Sequence, residues 1–134
     1  MPNESVSATR PIVAVIEADA TDRSMLCSLL SSLDADVQVY DSAESYLASR
    51  GDRLGCLISD VELPGMSGLD LLRLLRTARA APPVILLGEE SDVCGAVTAM
   101  REGAVDFIEK PHVDVSILRR VAYLLDHAQA DVIH

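Results

Sequence analysis

Asp60 closes the apolar run Leu54-Gly55-Cys56-Leu57-Ile58-Ser59, and residues 61–68 follow it as a loop bearing Pro64, Gly65 and Gly68. A carboxylate just past the C-terminal end of a buried parallel strand stands where open α/β sheets place their chemistry. Glu17 and Asp19 follow the run Ile12–Ile16 in the same way, and Lys110 follows the run Val105–Ile108. Parallel topology brings such positions to one rim. Clustered carboxylates there suit a hard divalent cation such as Mg²⁺, which takes oxygen ligands. A lysine among them suits a phosphoryl or carboxylate oxygen. The set would let Asp60 act as a nucleophile toward a phosphoryl donor, with lysine and cation offsetting charge. The plain alternative is a group of solvated loop acids, in a chain with 21 acidic residues against 11 basic ones. Pro111 sharpens the case for Lys110. It restrains the peptide after the lysine, and a cis bond is far commoner before proline than elsewhere.

These residues need elements to hold them. Five short apolar runs alternate with amphipathic stretches: Ile12–Ile16, Asp36–Tyr40, Leu54–Ser59, Pro83–Leu87 and Val105–Ile108. Four are nearly continuous in apolar residues, as expected of strands covered on both faces. The second alternates through Val37 and Val39 and reads as an edge strand. Helical stripes fill the intervals. They are Met25, Leu26, Leu29, Leu30, Leu33; then Ala43, Tyr46, Leu47; then Leu71, Leu72, Leu75, Ala78. Two more follow, Val93, Ala96, Val97, Met100 and Leu118, Val121, Ala122, Leu125. Ser67 before Asp70, and Asp41 before Glu44, read as N-terminal caps, and Gly103 reads as a C-terminal stop. The pattern predicts a (βα)5 domain with a parallel sheet, right-handed crossovers and helices on both faces. Residues 1–10 read as a flexible tail, 11–128 as the domain, with its last helix ending near Ala128, and 129–134 as a second tail.

Composition narrows the function. A length of 134 residues, 49% of them apolar, suits one domain with a single core. The net charge of −10 argues against nucleic-acid binding, which needs clustered Lys and Arg. No apolar run is long enough to span a membrane, and the polar N-terminus does not resemble a signal peptide. Cys27, Cys56 and Cys94 form no CxxC pair and read as small core-like residues, which fits a reducing cytoplasm. His112, His127 and His134 have no second histidine or cysteine one helical turn away, so no metal role is expected of them.

The motifs now assemble. Leu57-Ile58-Ser59-Asp60 is followed by Leu63-Pro64-Gly65-Met66-Ser67-Gly68-Leu69-Asp70, and Gly103-Ala104-Val105-Asp106-Phe107-Ile108-Glu109-Lys110-Pro111 stands near the end. The chain thereby strongly resembles the receiver domains of two-component response regulators, most of all those of nitrogen-fixation regulators with LuxR-like output. The resemblance runs from about Ile12 to Leu125. It implies a flavodoxin-like, doubly wound, five-stranded sheet of order 2-1-3-4-5. It also implies that Asp60 accepts phosphate from a histidine kinase or phosphotransfer protein, and that Lys110 contacts the phosphoryl group. Phe107 matches the aromatic that turns inward on activation, although an ordinary edge-strand aromatic fits equally. The fourth helix, fifth strand and fifth helix, roughly residues 90 to 125, correspond to the family's dimer or partner surface.

Two positions depart from the family. Its paired acids after the first strand read Glu17-Ala18 here, and Ala18 cannot bind metal. Its hydroxyl residue at the end of the fourth strand is Gly88 here. Both losses bear on the phosphorylation chemistry, so Mg²⁺ is expected to bind weakly or not at all. Asp19 and Glu62 are the candidates to compensate. A second reading follows from the same substitutions: a degenerate receiver acting as a phosphorylation-independent interaction or dimerisation module. An enzyme is not expected. The run Asp60-Val61-Glu62-Leu63-Pro64 lacks the second Asp and the hydroxyl residue of the haloacid dehalogenase-type phosphohydrolases.

Overall fold

A computed structural model describes residues 10–49, 54–78, 81–89, 93–110 and 114–133, with the side chains of 116–127 described in the last of these segments. Five strands alternate with five helices. They are β1 (Ile12–Ile16), α1 (Ala20–Leu30), β2 (Asp36–Tyr40), α2 (Ala43–Ser49) and β3 (Leu54–Asp60). There follow α3 (Gly68–Arg76), β4 (Val84–Glu89), α4 (Val93–Arg101), β5 (Asp106–Lys110) and α5 (Asp114–Ile133). All strand pairs are parallel, in the order β2-β1-β3-β4-β5.

Strand alternation divides the core into two layers. Val13, Val15, Cys56, Ile58, Ile85 and Leu87 face Leu26 and Leu30 of α1 and Ile117 and Val121 of α5. Their neighbours Ala14, Ile16, Leu57, Val84 and Leu86 face Tyr46 of α2, Leu71, Leu72 and Leu75 of α3, and Ala99 of α4. A central strand therefore needs apolar residues at every position, the pattern seen in β1, β3 and β4. Burial also explains Cys56, whose thiol pKa is pushed up to about 12 by desolvation. The thiol stays protonated and acts as core volume.

Several sequence expectations shift. β4 and β5 each begin one residue later than expected and end two residues later, and in β5 only Ile108 is buried because that strand is the second sheet edge. Ser42 rather than Asp41 caps α2, its hydroxyl accepting from the Ser45 amide at 3.0 Å. Leu33 and Ala78 lie beyond the ends of α1 and α3, and Met25 is exposed. The last helix continues to Ile133, past Ala128. The largest correction concerns α4. Val93, Val97 and Met100 follow a helical stripe yet are 68%, 48% and 48% exposed, and Ala99 is the residue that meets the sheet. Cys94 is likewise exposed and Cys27 half-buried, so neither is a core residue. Ser67 and Gly103 fill the expected roles. The Ser67 hydroxyl accepts from the Asp70 amide at 3.0 Å, and Gly103 adopts φ 103° where α4 stops. The expected tail before Arg10, the Lys110–Pro111 peptide, His112 and His134 lie outside the described residues.

The orientation of α4 is open to a direct test. Val97→Ala is expected to leave stability within about 0.5 kcal/mol of wild type. Leu75→Ala, on a buried face, should cost about 2–5 kcal/mol in urea unfolding at unchanged m-value. A loss for Val97→Ala as large as that for Leu75→Ala would place the apolar face of α4 inward.

Candidate functional site

Strand register builds the site as a staircase. Ile16 pairs with Ser59, so Glu17 and Asp60 emerge beside each other. Asp60 pairs with Leu87, one residue before Gly88. Gly88 in turn pairs with Glu109 and Glu89 with Lys110. Three strands thus deliver an acid, an acid and a lysine to one rim. They line a cavity of about 460 Å³ together with Ala18, Asp19, Asp22, Val61, Glu62, Gly88 and Glu89.

Helix α3 fixes the acid from below. Gly68 begins that helix and donates its amide to Val61 O at 2.9 Å. A Cβ on Gly68 would overlap the Asp60 carbonyl oxygen and sit 3.0 Å from the Asp60 carbonyl carbon. Only glycine lets the helix start seat directly on the backbone of the acid. Across the loop, Glu44 of α2 accepts the Met66 amide at 2.8 Å.

Lys110 is the centre of the site. Its Nζ donates to Asp60 Oδ2 at 2.6 Å and to Glu17 Oε1 at 3.2 Å, and Asp22 Oδ2 stands 3.6 Å away. The remaining carboxylate oxygens are also engaged: Glu17 Oε2 accepts the Asp19 amide at 3.2 Å, and Asp60 Oδ1 accepts the Glu62 amide at 3.1 Å. Glu17 is only 2% exposed and Asp60 7%. Burial raises the pKa of Glu17, and the nearby Asp60 charge adds to this, while the Asp19 amide and Lys110 oppose it. Burial alone would lower the pKa of Lys110. The hydrogen bond and charge of Asp60, then those of Glu17, outweigh it and hold the ammonium above its ordinary range.

The expected acids separate into two groups. Glu17 and Asp60 meet Lys110, so neither is a solvated loop acid. Asp19 and Glu62 are exposed at the cavity rim. The Asp19 carboxylate caps α1, accepting the Asp22 amide at 2.9 Å, and Glu62 reaches Asp60 through its backbone. Two contributors escaped the sequence reading. Asp22 sits one helical turn beyond Asp19, a spacing that a helix-face count would have found. Arg23 donates to the carbonyls of Glu17 at 2.8 Å and Ala18 at 3.4 Å, for which the sequence carries no signal.

The donor set does not fit a divalent cation in this arrangement. Ala18 offers a methyl group, both inner carboxylates already bind an ammonium, and Asp19 is committed to its helix. Among the described residues no group of three acids, histidines or cysteines is disposed around a metal-sized point.

The response regulator receiver domain family matches residues 13–122. The chain belongs to that family. The transcriptional regulatory protein FixJ of Bradyrhizobium diazoefficiens is 39% identical over 107 residues, covering 79% of this chain and 52% of that protein. FixJ of Rhizobium meliloti is 38% identical over 124 residues, 90% of this chain and 61% of its own length. Full-length FixJ from B. japonicum superposes with TM-score 0.82 at 34% identity, over 92% of this chain and 62% of that one. A response regulator receiver protein from Pseudoalteromonas atlantica gives TM-score 0.82 at 33% identity, over 88% of this chain and 99% of that one. The chain spans about half to three-fifths of the length of these FixJ proteins. The receiver thus belongs to the two-component systems, and its acidic cavity is where receivers usually bind Mg²⁺.

Linkage fixes how this site responds to pH. A lysine whose folded pKa is raised contributes stability in full below its unfolded value of about 10.4, and loses it as pH climbs through the folded value. Glu17 has the same sign in a lower window: its raised folded pKa means stability falls as pH rises from the unfolded value of about 4.3 to the folded one. Lys110→Met should therefore cost about 1–3 kcal/mol near neutral pH, where two carboxylates are left facing each other. The deficit should shrink at about pH 5, as one of them takes a proton. Urea unfolding at both pH values checks this, and an equal deficit at both contradicts it.

Proposed function

We propose that Asp60 is the phosphoacceptor, that a histidine kinase or phosphotransfer protein is the donor, and that Lys110 is the cation receiving the transferred group. A carboxylate oxygen of Asp60 attacks phosphorus, the P–N bond to the donor histidine breaks, and the imidazole leaves with the electron pair. The observation that carries this reading is the 2.6 Å contact between Lys110 Nζ and Asp60 Oδ2 in the mouth of the cavity. An ammonium already bound to the nucleophile can shift onto a phosphoryl oxygen without crossing solvent, so little reorganisation is required. Glu17 holds the lysine from the far side, and Asp22 adds a weaker pull from α1.

Mg²⁺ binding is weak or absent in this proposal, because the cation would have to displace Lys110 from two carboxylates with no third acid at Ala18. The exposed Val93, Val97 and Met100 on α4 suit the face formed with β5 and α5 to a second copy or a partner. The site of action is the bacterial cytoplasm. Among the described residues no helix is long and apolar enough to cross a membrane.

Acetyl phosphate is expected to add one phosphoryl group to the wild-type chain by mass and none to Asp60→Asn. Chelating Mg²⁺ should slow labelling less than about tenfold, equivalent to about 1.4 kcal/mol. Ala18→Asp should tighten Mg²⁺ binding by about tenfold or more and make labelling dependent on it. A wild-type chain that takes up no phosphate at saturating donor and Mg²⁺ overturns the assignment of Asp60.

A further inference from the structure

Gly88 is buried in β4 and forms part of the cavity wall behind Asp60. Its missing side chain is not empty space. A Cβ there would overlap Phe107 Cζ, and would lie 3.0 Å from Cε2 and 3.2 Å from Cε1 of the same ring. The tip of the Phe107 ring therefore fills the side-chain position of Gly88. The ring belongs to the edge strand β5 and packs against the core layer beneath α2, α3 and α4. The backbone around the slot is held too. Gly88 pairs with Glu109 and Glu89 with Lys110, so the end of β4 lies within the sheet ladder.

We propose that Phe107 is keyed permanently into Gly88, so that its position does not depend on whether Asp60 carries a phosphoryl group. This rests on the reading of Asp60 as the phosphoacceptor. A group bound to Asp60 can reach the ring only through the cavity wall. At residue 88 that wall has no hydroxyl to draw toward a phosphoryl oxygen and no side chain whose movement could open or close the slot. The ring is a plug seated on backbone, and the surface beyond β5 keeps one shape on either side of phosphoryl transfer. Any side chain at 88, even a methyl group, evicts the ring.

The chain contains one phenylalanine and no tryptophan, so ring-labelled phenylalanine yields a single, assigned set of NMR signals. Wild type should show a nuclear Overhauser contact between the Phe107 ring tip and the Gly88 α-protons. That contact should persist, with ring signals nearly unmoved, after loading with acetyl phosphate or beryllofluoride. Gly88→Ala should abolish it and move the ring signals toward those of a solvated phenylalanine. Loss of the contact on loading, its absence in the unloaded protein, or its survival in Gly88→Ala each overturns the proposal. Should Gly88→Ala fail to fold, recovery of the fold in Gly88→Ala/Phe107→Leu supports the clash, and failure to recover overturns it. A wild-type chain that does not load counts against Asp60 as acceptor, while the Gly88→Ala comparison still decides the fate of the ring.

Discussion

One ammonium holds this site together. Without Lys110, Glu17 and Asp60 would face each other as buried carboxylates at the ends of adjacent strands, a repulsion that costs more as water is excluded. With it, two acids from β1 and β3 and a base from β5 close into a bonded triad, and the ends of three strands that are not all neighbours are tied together. The sheet supplies the registers, and the triad turns those registers into a site. The same lysine takes one oxygen from each of the two inner carboxylates, and backbone amides take the others.

The surrounding structure reads as support for that triad. Gly68 seats α3 against the carbonyl of Asp60, and Glu44 pins the intervening loop through Met66. Arg23 gathers the carbonyls of Glu17 and Ala18, holding the turn that the missing second acid would have occupied. Asp19 caps α1 and lends its amide to Glu17. None of these groups performs chemistry. Each restricts where a carboxylate can go.

Much of this was legible in the chain, for identifiable reasons. Continuous apolar runs in β1, β3 and β4 announce strands covered on both faces, and a residue directly after such a run must lie at the sheet mouth. That logic finds Glu17 and Asp60 without coordinates, and Lys110 follows from its place two residues past the run of the fifth strand. It fails where period and environment part company. Val93, Val97 and Met100 have the spacing of a core stripe, but periodicity identifies a face without saying what covers it, and that face meets solvent. It also fails for Asp22 and Arg23, whose reach depends on the angle at which α1 leaves β1. Asp41 lost the cap to Ser42 through a one-residue shift that no spacing rule resolves.

The two departures from the family's usual pattern share a physical property. Alanine at 18 and glycine at 88 both take atoms away, and removing atoms beside an open cavity meets no steric resistance. Their reversals are unequal. A carboxylate restored at 18 would enter open space, since Ala18 is exposed at the rim. A hydroxyl restored at 88 would find its seat taken by an aromatic ring. The change at 88 is thus tied to its neighbour across the ladder: turning it back obliges the Phe107 ring to vacate its seat.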